Sequence, residues 1–431
     1  MEVRRKGAIA ALALFLLIPP VTGHAAYYRA ASDTIIRSYQ RHTSAGTDID
    51  VMPVYEYLQV EMGDRGEYGL TVHAQGWLRS NLGDGGFFRE EEDGELLYGY
   101  LEYTVELFDL RTRLGRMHVF EGPSNRNIDG LYVGGDILPQ VSFSLFGGSP
   151  APLEEDEGRD GDSIYGGKMA FHPDSRYNFG FSYVNVISNS VQDEETAGLD
   201  FYLTLPASVS VTGLSTYNIL TDDWGQHFIE GRASWYEINF RPYMQKINYE
   251  DFFNTGDNSA NPFRFLAGTE ETLRIYGTDV SKQTMTGWDL GYRLKYYDYS
   301  RAGGNTLYNS GLVTRHFEGM SQTGLEIGLM DGDADQDQYL IGRWFAFWDS
   351  LGFDWGRPFV SGDVVFVSYK EEIQDEDSSL FVSAGCGLRF FDDALATRLS
   401  FDYNSDPFFD EEIRGMLVIT YELKKGEEDV F

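Results

Sequence analysis

The segment Leu97–Arg116 reads LYGYLEYTVELFDLRTRLGR. Leu97, Gly99, Leu101, Tyr103, Val105 and Leu107 form an apolar row at period two, with Tyr98, Tyr100, Glu102, Thr104 and Glu106 between them. That alternation marks a strand with one apolar and one polar face. Phe108 and Asp109 turn the chain, and Leu110, Thr112 and Leu114 then alternate with Arg111 and Arg113. A turn at these two residues places Glu106 opposite Arg111 and Thr104 opposite Arg113. Soluble sandwiches and membrane barrels both use such hairpins, so the rest of the chain decides between them.

The same period recurs from about residue 34 onward. Leu70, Val72, Ala74, Gly76 and Leu78 alternate with Thr71, His73, Gln75, Trp77 and Arg79. Trp288 to Tyr297 and Leu395 to Tyr403 repeat the pattern, in runs of about ten residues that suit a tilted strand crossing a bilayer. Connections alternate in length. Short ones are expected near 63–65, 108–109, 173–174, 206–207, 236–237 and 392–393, and long polar ones at 79–95, 148–162, 188–196, 249–270, 301–306, 331–337 and 371–378. Short turns at one end and long loops at the other are the pattern of an outer-membrane barrel. The expectation is an all-β chain forming a single closed antiparallel transmembrane β-barrel of about 20 strands, with 18 to 22 allowed. The parity of short and long connections slips at 120–138, FEGPSNRNIDGLYVGGDIL. Either Gly130–Asp136 adds a crossing, or this stretch folds inward as a constriction loop.

Arg4, Arg5 and Lys6 precede an apolar run from Gly7 to Ile18, and the small residues Gly23 and Ala25 follow. This reads as a cleaved signal peptide over 1–25, leaving 26–431 as the barrel of an exported protein. Aromatic residues make up 15% of the chain, with 28 Tyr and 30 Phe, which fits aromatic girdles at two membrane interfaces. The formal net charge of -34 argues against nucleic acid as a partner. With one cysteine, Cys386, the chain has neither a disulfide framework nor a haem-attachment motif. Cys386 falls on the apolar phase with Val382, Ala384 and Leu388, and so is expected to face lipid.

Enzyme chemistry finds little support. The histidines are scattered without metal-ligand spacing, and no nucleophile elbow is present, so no enzyme activity, metal or other cofactor is expected. Asp331, Asp333, Asp335 and Asp337 alternate as in a calcium loop, but Gln336 and Gly342 stand where that loop needs glycine and an acid. The acidic runs 90–93, 154–157 and 371–377 read as solvated loops. The residues expected to line a lumen are Glu102, Glu106, Arg111, Arg113, Arg293, Lys295 and Arg398, with Arg232 and Arg343 on the same polar phase. Arg116 sits on the other phase and joins them only if Gly115 makes a bulge.

With these residues in view, the chain resembles a bacterial outer-membrane porin-like β-barrel. The last strand, Ile413 to Leu423, resembles the C-terminal insertion signal of such barrels, although KKGEEDV intervenes before Phe431. The segments GWLRSNLGD, GYLEYTVE, RLGRMHVFEG, IDGLYVGGD, FSLFGGSP and DPFFDEEIRGMLVITYEL are similar to barrels found in deltaproteobacteria. The resemblance implies a Gram-negative outer membrane, with lipid and lipopolysaccharide as surroundings and a homo-oligomer as one assembly. It implies one of two functions. One is a channel for passive diffusion of small hydrophilic solutes or ions. The other is a structural sheath for a multihaem cytochrome or another periplasmic partner.

Overall fold

A computed structural model describes residues 27–42, 48–64, 68–151, 162–188, 190–252, 271–301, 304–349, 352–353, 356–407 and 409–425. The signal region 1–25 and the acidic run 154–157 lie outside these residues. The described residues make one antiparallel sheet of 23 strands. They begin with β1 (Tyr27–His42), β2 (Asp48–Val51), β3 (Pro53–Gly63), β4 (Gly69–Asn81), β5 (Glu92–Val105), β6 (Leu110–Glu121), β7 (Ser124–Leu138) and β8 (Val141–Pro150). Next come β9 (Ser163–Asp174), β10 (Tyr177–Ser188), β11 (Val191–Leu205), β12 (Val209–Asn218), β13 (Asp223–Trp235), β14 (Ile238–Asn248), β15 (Thr272–Gln283) and β16 (Trp288–Tyr299). The last are β17 (Asn305–His316), β18 (Gln322–Gly332), β19 (Tyr339–Trp348), β20 (Arg357–Ile373), β21 (Glu376–Phe390), β22 (Leu395–Asp406) and β23 (Phe409–Lys425).

Except for β2 and β3, strands adjacent in sequence pair with each other, and β1 pairs with β23 from Tyr28 opposite Lys425 to Tyr39 opposite Arg414. That ladder closes the sheet. β2 and β3 both pair with β1 and are one strand interrupted at Met52, so the barrel has 22 staves. With strands about 4.8 Å apart and tilted about 40°, a circular section of this size measures roughly 40–45 Å between opposite backbones.

The two faces follow the alternation. Leu101 stands opposite Leu114, which stands opposite Leu131, and all three side chains are exposed on the outside. Leu325, Ile327 and Leu329 of β18, Phe179 and Phe181 of β10, and Leu399 and Phe401 of β22 continue the belt. An outward apolar girdle on a closed sheet is the arrangement in which every backbone polar group can be satisfied without water. Cys386 lies on this outer phase, opposite Val360 and Leu399. Glu56 also has the outer phase, and there accepts hydrogen bonds from Ser32 and from Thr34 Oγ1 at 2.6 Å.

Three expected connections differ. The stretch 188–196 is mostly strand, because β10 runs to Ser188 and β11 already starts at Val191. The stretch 371–378 is a hairpin whose turn is Gln374 and Asp375, both at positive φ, so most of its acids stand on strand ends. The turn after β5 takes four residues, Glu106 to Asp109, with Phe108 and Asp109 at positive φ. Val105 consequently pairs with Leu110, Thr104 with Arg111 and Glu102 with Arg113, a two-residue shift from the expected register. In the Asp331–Asp337 segment, Asp333 accepts from the Asn305 N–H and Asp337 from the Thr306 hydroxyl. These carboxylates tie a hairpin end together and do not converge on one point.

Replacing Ile327 by arginine puts a charge into the outer belt. The expected cost is about 2–4 kcal/mol near the bilayer midplane, read as a fall in the urea midpoint for folding into liposomes. An unchanged midpoint would remove Ile327 from the lipid face.

Candidate functional site

Below Gly115 the β6–β7 hairpin is ordinary barrel wall. Leu114 and Leu131 point out, while Arg113 and Tyr132 point in. Above it the chemistry of the two phases inverts. Met117, Val119 and Ile128 now occupy the inward phase and are 0–2% exposed, while Arg116, His118, Asn127 and Asp129 take the other. The inversion coincides with the departure of the hairpin from its neighbours. Among the described residues β5 pairs with β6 only as far as Gly99 opposite Arg116, and β8 pairs with β7 only as far as Pro150 opposite Ile128.

The freed hairpin end folds into the lumen. A Cβ on Gly122 would overlap the Ser182 hydroxyl of β10, and Pro123 packs where a side chain on Gly198 of β11 would stand. Arg126 makes an ion pair with Glu194, also on β11. These strands lie three and four places beyond β7, so the hairpin crosses the inner face of β8 and β9 to reach them. Glu121 accepts from the Tyr132 hydroxyl at 2.8 Å. Its partner Ser124 is eight residues from Tyr132, about 27 Å along a straight strand. Only a sharply bent hairpin brings the two side chains together.

Glycine makes the bend. Gly115 pairs with Gly130, and Gly130 with Gly148, so three neighbouring strands carry no side chain on the inside of the fold. A Cβ on Gly130 would stand 2.8 Å from the Gly148 Cα, and one on Gly148 would stand 2.7 Å from the Gly130 Cα. Gly115 holds φ +129, which a side chain would also oppose.

The seat has two parts. Near the hinge, Met117, Val119 and Ile128 pack against Phe146, Ile164, Val184 and Val186 of the wall, with Tyr100 and Tyr132 at the margin. Burying each of the three hairpin side chains stabilises docking by about 1.5–3 kcal/mol. Toward the tip the seat is polar. Ser124 of the hairpin and Ser182 of the wall are both 1% exposed, and neither hydroxyl has a hydrogen-bond partner among the described residues. Each unsatisfied group opposes docking by about 1–3 kcal/mol.

The remainder of the inner wall carries linked charges. Glu102 accepts from Arg113 Nε at 2.6 Å and lies 3.8 Å from Arg111 Nε. Lys168 Nζ meets Asp200 at 2.9 Å. Across β13 to β16, Arg232 and Arg241 both bond Glu230, at 2.6 and 2.8 Å, and Arg293 meets Asp279 at 2.9 Å. Arg343 pairs with Asp363. The inner wall is thus a lattice of alternating signs, not a basic stripe. Lys295 and Arg398 share the inner phase without a salt bridge among the described residues.

Of the expected lumen residues, Glu102, Arg111, Arg113, Arg293, Lys295 and Arg398 lie on the inner phase. Glu106 does not, because it belongs to the four-residue turn at the strand end. Arg116 does not join them either. The β6 register runs through Gly115 without a bulge, and Arg116 grips Asp129 through Nε and Nη2 at 2.8 and 3.0 Å. Of the two alternatives for 120–138, Gly130–Asp136 is part of a crossing strand. Ser124–Leu138 is a full strand behind a tight turn at Gly122 and Pro123, and the element that turns inward is the hairpin end formed with β6. That turn also explains the slipped parity, since it is a short connection at the end that carries the long loops.

No protein family and no curated protein is matched by the sequence. Several solved structures overlap with the fold. The translocation pore of the P pilus usher PapC has 9% identity and a TM-score of 0.49, over 91% of this chain and 99% of that one. A BenF-like porin from Pseudomonas fluorescens Pf-5 has 11% identity and a TM-score of 0.46, over 93% and 98%. OccK2 (OpdF) of Pseudomonas aeruginosa has 11% identity and a TM-score of 0.44, over 92% and 98%. Overlaps this loose say nothing about function, and the barrel here stands on its own strand pairing.

Removing Arg126 leaves the Glu194 carboxylate, 7% exposed, without its counter-charge. Arg126→Ala is expected to cost about 3 kcal/mol of stability, and Arg126→Ala with Glu194→Ala less than the single change. Denaturant midpoints for the two variants check this. A double variant no more stable than the single one would mean that the pair is not coupled.

Proposed function

We propose that this barrel is an outer-membrane channel for passive diffusion of small hydrophilic solutes or ions, narrowed by the inward hairpin. The observation that carries the reading is the accessibility of the inner-wall cations. Side chains on the inner phase of a closed sheet can be exposed only to the lumen, yet Arg232, Arg241, Arg293 and Arg343 are 43–66% exposed. A wall this polar and this accessible suits a water-filled interior. Acid and base alternate along it, so a permeating ion meets a transverse field and no uniform potential. Glu102, Arg111 and Arg113 lie on the same stretch of wall as the hairpin's root, and there they act on charged solutes.

A sheath around a periplasmic partner is the second reading, supported by the width of a 22-stave barrel. A multihaem cytochrome would bring its own haem, since this chain has no attachment motif. Planar-bilayer recording of purified, partner-free protein separates the two. Discrete conductance is expected from the channel, and a well-folded barrel that carries no current would overturn it in favour of the sheath.

Neutralising Arg111 and Arg113 together leaves the Glu102 carboxylate as the local charge. Reversal potentials in a salt gradient are expected to move toward cation selectivity. An unchanged reversal potential would reduce the three residues to a structural ion-pair cluster.

A further inference from the structure

Building on the channel reading, we propose that the 117–128 hairpin is a hinged lid, which swings off its seat by turning about the Gly115–Gly130–Gly148 contact. Three independent features of the structure carry this. First, among the described residues most of the hairpin is free of both sheet neighbours. The β5 ladder ends at Gly99 opposite Arg116, and the described β8 ladder ends at Pro150 opposite Ile128, followed by one backbone bond from the Ala151 N–H to the Asn127 carbonyl. Swinging therefore breaks mainly side-chain contacts, while the hairpin keeps its own internal ladder from Met117 opposite Ile128 to Glu121 opposite Ser124. Second, the bend falls where three adjacent strands carry glycine, so no side chain obstructs a change of angle.

Third, the two parts of the seat oppose each other. The apolar cluster of Met117, Val119 and Ile128 against Phe146, Ile164, Val184 and Val186 holds the lid down. Where the tip meets the wall, Ser124 of the hairpin and Ser182 of β10 are buried, with hydroxyls that have no hydrogen-bond partner among the described residues. These groups regain water when the tip lifts. The Arg126–Glu194 pair and the bond from Tyr132 to Glu121 act as latches between tip and wall. A permanent constriction has no need of a seat lined with unsatisfied polar groups. A lid that must separate does, because such groups keep docking from becoming irreversible.

The test uses Ser182, which is 1% exposed beneath the tip. Ser182→Cys is made in a Cys386→Ser background and reacted in folded protein with a water-soluble maleimide. Arg398→Cys, on the exposed part of the inner wall, is the control. A lid that is open for about 0.1–10% of the time slows labelling of Ser182→Cys by roughly 10- to 1000-fold relative to the control. Replacing residues 118–127 by an Asn-Gly turn is expected to bring it to the control rate. Labelling at the control rate in the intact chain would mean that the hairpin is not seated. Labelling slower than that window would mean a fixed constriction, and either result overturns the lid. If the truncated variant does not fold, the ratio of the two cysteines in the intact chain still decides. Labelling does not depend on current, so labelling within the window from a barrel that carries no current would retain the lid and overturn the channel.

Discussion

Everything in this molecule depends on the ladder between its first and last strands. Tyr28 to Tyr39 of β1 run against Lys425 to Arg414 of β23, and that pairing turns a 23-strand ribbon into a surface without edges. In an apolar medium an unpaired strand edge would strand a row of N–H and C=O groups at several kcal/mol each. Closure therefore decides what the residues mean. Once the sheet is closed, every odd–even alternation becomes an inside–outside assignment, and an arginine in the sheet is either in the lumen or in lipid. The linked charges of Glu230, Arg241, Asp279 and Arg293 make sense only on the inner side of such a surface.

The hairpin at Gly115 uses the same rule in reverse. Its apolar and polar faces exchange positions without any slip in register, because the strand itself turns through the plane of the wall. Met117, Val119 and Ile128 are on the inward phase like Arg113, but they look onto protein, not onto water. The result is a small hydrophobic core inside a membrane barrel, confined to the sector from β6 to β10. Elsewhere the inner wall is held by ion pairs and hydrogen bonds. Among the described residues, the apolar cluster of this sector makes the interior resemble that of a soluble protein.

The class of fold and the lumen phase of most candidate residues were legible in the sequence because they rest on period-two alternation, which survives any neighbour. The turn after β5 was less legible. Phe108 and Asp109 adopt positive φ against their intrinsic preference, and this four-residue turn displaced Glu106 from the wall and moved the partners of Arg111 and Arg113 by two positions. The hairpin left a signal that alternation alone misreads. Leu110, Thr112 and Leu114 keep one phase, then Met117 and Val119 take the other, with Gly115 between them. A phase change without a bulge means that the surroundings change, and a pair of glycines opposite each other marks where. What no local pattern contains is the destination, since Ser182, Glu194 and Gly198 lie sixty residues or more farther along the chain.

The departure of the hairpin also shapes the outside of the molecule. On β7 the outward apolar side chains extend from Ile137 up to Leu131 and stop there, because Asp129 and Asn127 follow on that phase, held by Arg116 and His118. Counted from Leu138, this sector offers lipid a belt roughly 18 Å tall on a tilted strand, against about 25 Å for a typical barrel wall. Acyl chains meeting it must shorten or splay, at a cost of fractions of a kcal/mol per ångström. A bend made to place a hairpin inside the barrel thus also gives the barrel a thin side, and the surrounding bilayer is obliged to pucker there.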